Sequence, residues 1–111
     1  WIRGITLHNV DVGILMKSSM LSTITDITFT TDRAEDCEGK SGHHAIDIAN
    51  SGSLLVHNIH YVHANFWHSV SVSRMSHLNV ITGVYGEGSS FVGDHHGYSP
   101  FMNLWDNISA A

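Results

Sequence analysis

Short apolar runs with period-two alternation recur along the chain. One series reads Ile5-Thr6-Leu7, Ile27-Thr28-Phe29, Leu55-Val56-His57, Leu78-Asn79-Val80 and Met102-Asn103-Leu104. A second series falls between them: Gly13-Ile14-Leu15, Ala45-Ile46-Asp47-Ile48, Ser69-Val70-Ser71-Val72 and Ser90-Phe91-Val92. Ile46 to Val70, Val56 to Val80 and Val80 to Leu104 are all 24 residues, and Ile5 to Ile27 is 22. The longer step from Ile27 to Val56 places its excess in residues 32–42, a polar, acidic, glycine-containing stretch that reads as an inserted loop.

Two strands per 24 residues predict an all-β fold, a parallel β-helix of about 4–5 coils. Each coil gives one rung to each of two sheets and buries its inward face only by stacking. An antiparallel sandwich fits the spacing of neighbouring strands but does not make alternate strands alike at 24. It also favours Asn-Gly and Asp-Gly turns, and neither dipeptide occurs. Small polar groups such as Asn50-Ser51-Gly52 and Gly86-Glu87-Gly88 mark corners. Asn9, Asn58, Asn79 and Asn107 follow or interrupt the first series, either as a stacked ladder or as isolated turn residues.

Composition agrees. Val, Ile and Thr number 26, against 21 for Ala, Leu, Glu, Lys and Arg together. The 111 residues suffice for one domain, read as a single β-helix segment of a longer chain whose remaining coils would be its partners. No run is long enough to span a membrane. Net charge is −5, and the five basic residues form no stripe, which argues against nucleic acid. Cys37 lies among Glu35, Asp36 and Glu38, a setting that disfavours a thiolate nucleophile.

Ten histidines are the chemical signal. Stacking makes residues one coil apart neighbours at about 4.8 Å. His44 and His68 should therefore meet, as should Asp47 and Ser71 on the outward face. Val70 should align with Phe91 or Val92, bringing His95 or His96 beside Arg74. His44, His68, Arg74, Asp94, His95 and His96 would then line one groove. Taken singly, Arg74 reads as a solvated outer residue, His44 and His68 as stacked structural histidines, and Asp94-His95-His96 as a polar turn. His57, His60 and His63 read as incidental. No His-Glu-x-x-His, paired Cys-x-x-Cys, Gly-x-Ser-x-Gly or phosphate-loop pattern occurs. Asn107-Ile108-Ser109 is a formal glycosylation sequon.

The segment Trp1-Ile-Arg-Gly-Ile-Thr-Leu-His-Asn-Val-Asp-Val-Gly-Ile resembles a coil of the pectate-lyase-like right-handed β-helix proteins. Gly42 to Ile48 and Asp94 to Leu104 are similar to segments of secreted bacterial members of that superfamily. The resemblance implies extracellular or periplasmic action on polysaccharide, chiefly by lyase-type elimination. A glycoside hydrolase or a non-catalytic glycan-binding, adhesin or spacer module is the alternative, since fold alone does not fix function. Within the lyase scheme, His96 or His68 would be the base and Arg74 the carboxylate anchor. Asp47 and Asp94 could hold calcium. Trp67, Tyr98 and Phe101 would offer ring faces to sugars, whereas Trp67 and Trp105 also suit packing.

Overall fold

The computed structural model describes residues 1–110. Nine strands wind as stacked coils: β1 (Ile2–His8), β2 (Val12–Lys17), β3 (Thr23–Thr30), β4 (Gly42–Ala49), β5 (Leu55–Val62), β6 (Phe66–Ser73), β7 (Val80–Glu87), β8 (Gly93–His96) and β9 (Leu104–Ala110). Odd-numbered strands form a five-stranded parallel sheet and even-numbered strands a four-stranded one. A third line of contact runs through the corner by single bridges, Met20 to Gly52 to His77 to Phe101. The chain is a β-solenoid, as its alternating runs require.

The register explains the core. Ile14 pairs with Ile46 and Ile46 with Val70, while Ile24 pairs with Val56 and Val56 with Ile81. Apart from Ile14, which is also buried, these inward side chains are sealed from solvent. Each coil thus covers the apolar face of the next. Phe29 and Tyr61 stack at 5.2 Å with planes 9° apart, and Phe66 meets Phe29 edge-on at 5.5 Å. The buried Tyr61 hydroxyl donates to the Ser69 carbonyl at 2.7 Å. Burial pushes that phenol far above its ordinary pKa.

Several rungs depart from the strict period. Ile5 to Ile27, Ile46 to Val70 and Val80 to Leu104 pair as expected. Val56 pairs with Ile81 rather than Val80. Val70 pairs with Gly93, not with Phe91 or Val92. A side chain at Gly93 would meet the rings of Phe91 and Trp105 at 2.7 and 2.8 Å, so those aromatics fill the inward space of that rung. Strand β8 consequently begins at Gly93, and Ser90-Phe91-Val92 precedes it. Leu78 and Met102, read as strand, instead occupy corners with positive φ. The inserted loop ends at Ser41, because Gly42 already opens β4.

The asparagines split among levels. Asn58 and Asn107 sit at a kink shared by all five strands of the larger sheet. There Gly4, Asp26, Asn58, Gly83 and Asn107 all have φ between 49° and 67° and drop out of the pairing. Gly, Asn and Asp tolerate that conformation best. Asn9 holds Asp32 and Thr31 at the opposite corner. Only Asn79 joins an asparagine ladder, with Asn103.

Candidate functional site

The outer face of the four-stranded sheet gathers the ionisable side chains. His44 pairs with His68 and Asp47 with Ser71, as the spacing predicts. Ser71 pairs with Asp94 and Ser73 with His96. In β4 and β6, Ala45 and Ser69 are skipped between paired residues. At that level the amides of Ser69 and Val70 both reach the Val92 carbonyl, at 2.7 and 3.3 Å. This kink permits Ala45 and Ile46 to be buried in succession. It also leaves His44 on the same outer face as Asp47.

The histidines touch. His44 and His68 stack at 4.5 Å, His68 meets His96 at 5.6 Å, and His43 meets His44 at 4.4 Å. The Nδ1 atoms of His43 and His44 are 2.8 Å apart, so one donates and the other accepts. Burial, reinforced by repulsion from His68 and His43, holds the His44 pKa below its ordinary value, against the pull of Asp47 and Asp94.

Asp94 organises the other end. His96 Nδ1 lies 3.2 Å from Asp94 Oδ2 and hydrogen-bonds it. A carboxylate only accepts, so the proton belongs on Nδ1 and the Nε2 lone pair is left free. His68 Nδ1 is 3.3 Å from the same oxygen, an ion-pair distance, but forms no hydrogen bond with it. Asp94 Oδ1 is buried without a partner. The His96 side chain is 66% exposed, whereas those of His68 and Asp94 are only 22% and 24% exposed. His96 is therefore the imidazole that faces solvent, with the other two groups beneath it.

A cleft of about 280 Å³ is lined by His44, Asp47, Arg74 and His96, with Leu15 and Lys17 on its wall. Of the residues that the spacing grouped, His44, Arg74 and His96 line this cleft, and His68 and Asp94 lie against His96. The spacing missed His43 and Lys17. Lys17 reaches the cleft through a 32-residue step, Lys17 pairing with Ala49, which the inserted loop disguises.

His95 departs from the expectation. It pairs with Val72 and so shares the inward face. Its Nε2 accepts from the Trp105 indole at 3.2 Å, and its ring lies 5.8 Å from that indole. The one-residue register difference is the cause. Asp47 and Asp94 sit two rungs apart on the outer face, with Ser71 between. Among the described residues, no three of His, Cys, Asp or Glu are arranged to hold a metal ion.

The aromatic positions spread along the sheet. Trp67 donates to Asp36 Oδ2 at 3.2 Å and lies 6.0 Å under the Lys40 ammonium. It lines a second depression of about 420 Å³ with Arg33, Lys40 and His43 at the strand starts. Tyr98 borders a third, of about 540 Å³, with Lys17 and Arg74 at the strand ends. Phe101 stacks on His77 at 5.0 Å, away from the cleft. His57 approaches Thr25 and His60 approaches Glu87, so with His63 they form no common group.

Comparison with protein-family models, with curated proteins and with solved structures finds no match.

Proposed function

We propose that the outer face of the β2–β4–β6–β8 sheet binds a polysaccharide chain and cleaves it by lyase-type elimination. One observation carries the reading: His96, exposed and oriented by Asp94, shares a cleft with Arg74. Elimination from a uronic acid needs three things. The substrate carboxylate must be neutralised, the C5 proton removed, and the C4–oxygen bond broken. Arg74 makes no ion pair with a protein carboxylate among the described residues and suits the carboxylate. His96 Nε2 takes the C5 proton. The electron pair of the C5–H bond forms the C4–C5 double bond, and the leaving oxygen takes a proton from solvent in the open cleft. Asp94 is a positioning residue: it fixes the tautomer and favours the imidazolium that forms.

Depressions on either side, one with Trp67 and one with Tyr98, lengthen the face along the strand direction and suit an extended chain. Action on polysaccharide outside the cell belongs to the same proposal and comes from the pectate-lyase-like resemblance.

The test is incubation with a panel of polyuronates while following the ultraviolet absorbance of an unsaturated uronyl product. His96→Ala and Arg74→Ala run beside the unaltered protein. Product that both substitutions abolish, with folding intact, supports the reading. New reducing ends from neutral glycans without unsaturation reassign the site to hydrolysis. No product of either kind overturns the enzymatic reading in favour of a glycan-binding or spacer module.

A further inference from the structure

The corner that returns each coil from the four-stranded to the five-stranded sheet has an unusual surface. It comprises residues 18–22, 50–54, 74–79 and 97–103. The chain carries ten Asp and Glu residues, and none lies in these four segments. One step beyond the bridge line Met20–Gly52–His77–Phe101 come Leu21, Ser53, Leu78 and Met102, one per coil, all with φ between 52° and 56°. Leucine and methionine adopt this left-handed conformation at a cost. Here they gain no burial for it: Leu21 is 85% exposed, Leu78 49% and Met102 72%. Met75 and Tyr98 extend the exposed apolar strip at 60% and 81%.

Two cations flank the strip. Lys17 and Arg74 share the depression of about 540 Å³ with Met75 and Tyr98. Neither makes an ion pair among the described residues. The acidic groups lie elsewhere, many in the loop through Asp32, Glu35, Asp36 and Glu38. Net charge is −5 overall, whereas beside this corner the two cations Lys17 and Arg74 face one carboxylate, Asp47, in the adjoining cleft.

We propose that this corner docks on an anionic lipid bilayer. The leucine and methionine side chains enter the interfacial zone, Tyr98 sits at headgroup level, and Lys17 and Arg74 take a headgroup phosphate. Charge complementarity selects this occupant. A second copy packing corner to corner would set the Lys17 and Arg74 pair against the same pair, two cations a side against the single carboxylate of Asp47 in the adjoining cleft. Lys17 and Arg74 also line the cleft with His96, so a docked headgroup phosphate and a substrate carboxylate would compete for Arg74; the docking proposal itself stands whether or not that cleft is catalytic.

The test is co-sedimentation with vesicles of phosphatidylcholine alone and of phosphatidylcholine mixed with phosphatidylglycerol. Binding should require the anionic lipid and weaken with salt. Lys17→Gln combined with Arg74→Gln should lower it at least about tenfold. Leu21→Ser combined with Leu78→Ser should lower it comparably, with circular dichroism and melting unchanged. Ser53→Leu, which completes the apolar row, should raise affinity, a gain that misfolding does not produce. No binding to the mixed vesicles overturns the proposal. So does binding indifferent to both double substitutions. A dimer in sedimentation that Leu78→Ser dissolves also overturns it, assigning the corner to a second copy.

Discussion

His68 and His96, one rung apart, lean on a single oxygen: Oδ2 of Asp94 lies 3.3 Å from Nδ1 of the first and 3.2 Å from Nδ1 of the second. Only the His96 contact is a hydrogen bond. The two imidazoles are therefore unequal. His96 is held in one tautomer and faces solvent, while His68 is wedged between the His44 ring and the carboxylate. An arrangement that singles out one histidine is what proton transfer at a defined atom requires.

Asp94→Asn tests that inequality. The amide keeps the shape but no longer stabilises an imidazolium, and it can present its N–H instead of an acceptor. With a polyuronate substrate, kcat should fall about 10²-fold while KM changes little. The acid limb of the pH–rate profile, where activity falls as the general base becomes protonated, should move to lower pH. A profile that keeps its position, with only KM raised, would reassign Asp94 to substrate binding.

How much of this was legible in the sequence depends on what each residue faces. His44 and His68 were readable as neighbours because β4 and β6 follow the 24-residue step and carry the same inward pattern, Ile46 and Ile48 over Val70 and Val72. The rung holding Asp94 was not readable. Its inward position opposite Val70 is a glycine, and the apolar signal comes from Phe91 and Trp105 reaching in from elsewhere. A pattern rule seeks an apolar residue at the rung and so places β8 too early, which sends His95 to the wrong face. The apolar corner escaped for a similar reason. Leu78 and Met102 look like strand residues in alternation, yet their positive φ turns them outward.

Acid should loosen the fold through His44. Its pKa in the folded protein lies below the ordinary value of 6.5, because burial first and the neighbouring imidazoles second oppose its charge. Above pH 6.5 both folded and unfolded chains carry it neutral, and it contributes no pH dependence. As pH falls through 6.5 the unfolded state takes up the proton first, so stability declines. Denaturant midpoints should drop between pH 7 and pH 5, and His44→Gln should flatten the drop. An NMR titration placing His44 at or above 6.5 would contradict the assigned environment.

Gly13→Ala should be costly. A Cβ there would stand 2.5 Å from the Ala45 carbonyl oxygen and 2.7 Å from the Phe29 ring. The ring can shift; the carbonyl belongs to the next coil and cannot without spreading the rungs. The expected loss is about 1–3 kcal/mol, read as a melting point lower by roughly 5–15 °C. Replacing Phe29 by Leu in the same chain should not recover it, since the backbone contact remains. An unchanged melting point would mean that the coils separate more easily here than their spacing suggests.

Asn79 should be the polar residue the solenoid tolerates losing least. It is 1% exposed. Its Oδ1 accepts from the buried Leu54 amide at 3.0 Å, and its Nδ2 donates to Asn103 Oδ1 at 2.9 Å. Asn103 in turn donates to the Ser76 carbonyl at 3.1 Å. The side chain thus ties three successive coils at one corner, and Asn79→Ala leaves the Leu54 N–H enclosed with no acceptor. The loss should be about 2–4 kcal/mol. Asn79→Asp keeps the acceptor for Leu54 but sets a carboxylate oxygen against Asn103 Oδ1 and buries a charge, so at neutral pH it should cost more than alanine. Burial raises that carboxyl's pKa above its unfolded value, so the penalty should lessen as pH falls and the protonated acid donates to Asn103. The two variants should therefore exchange order between neutral and acidic pH. Melting curves that keep the alanine variant ahead of the aspartate variant throughout would show that the corner relaxes and admits water.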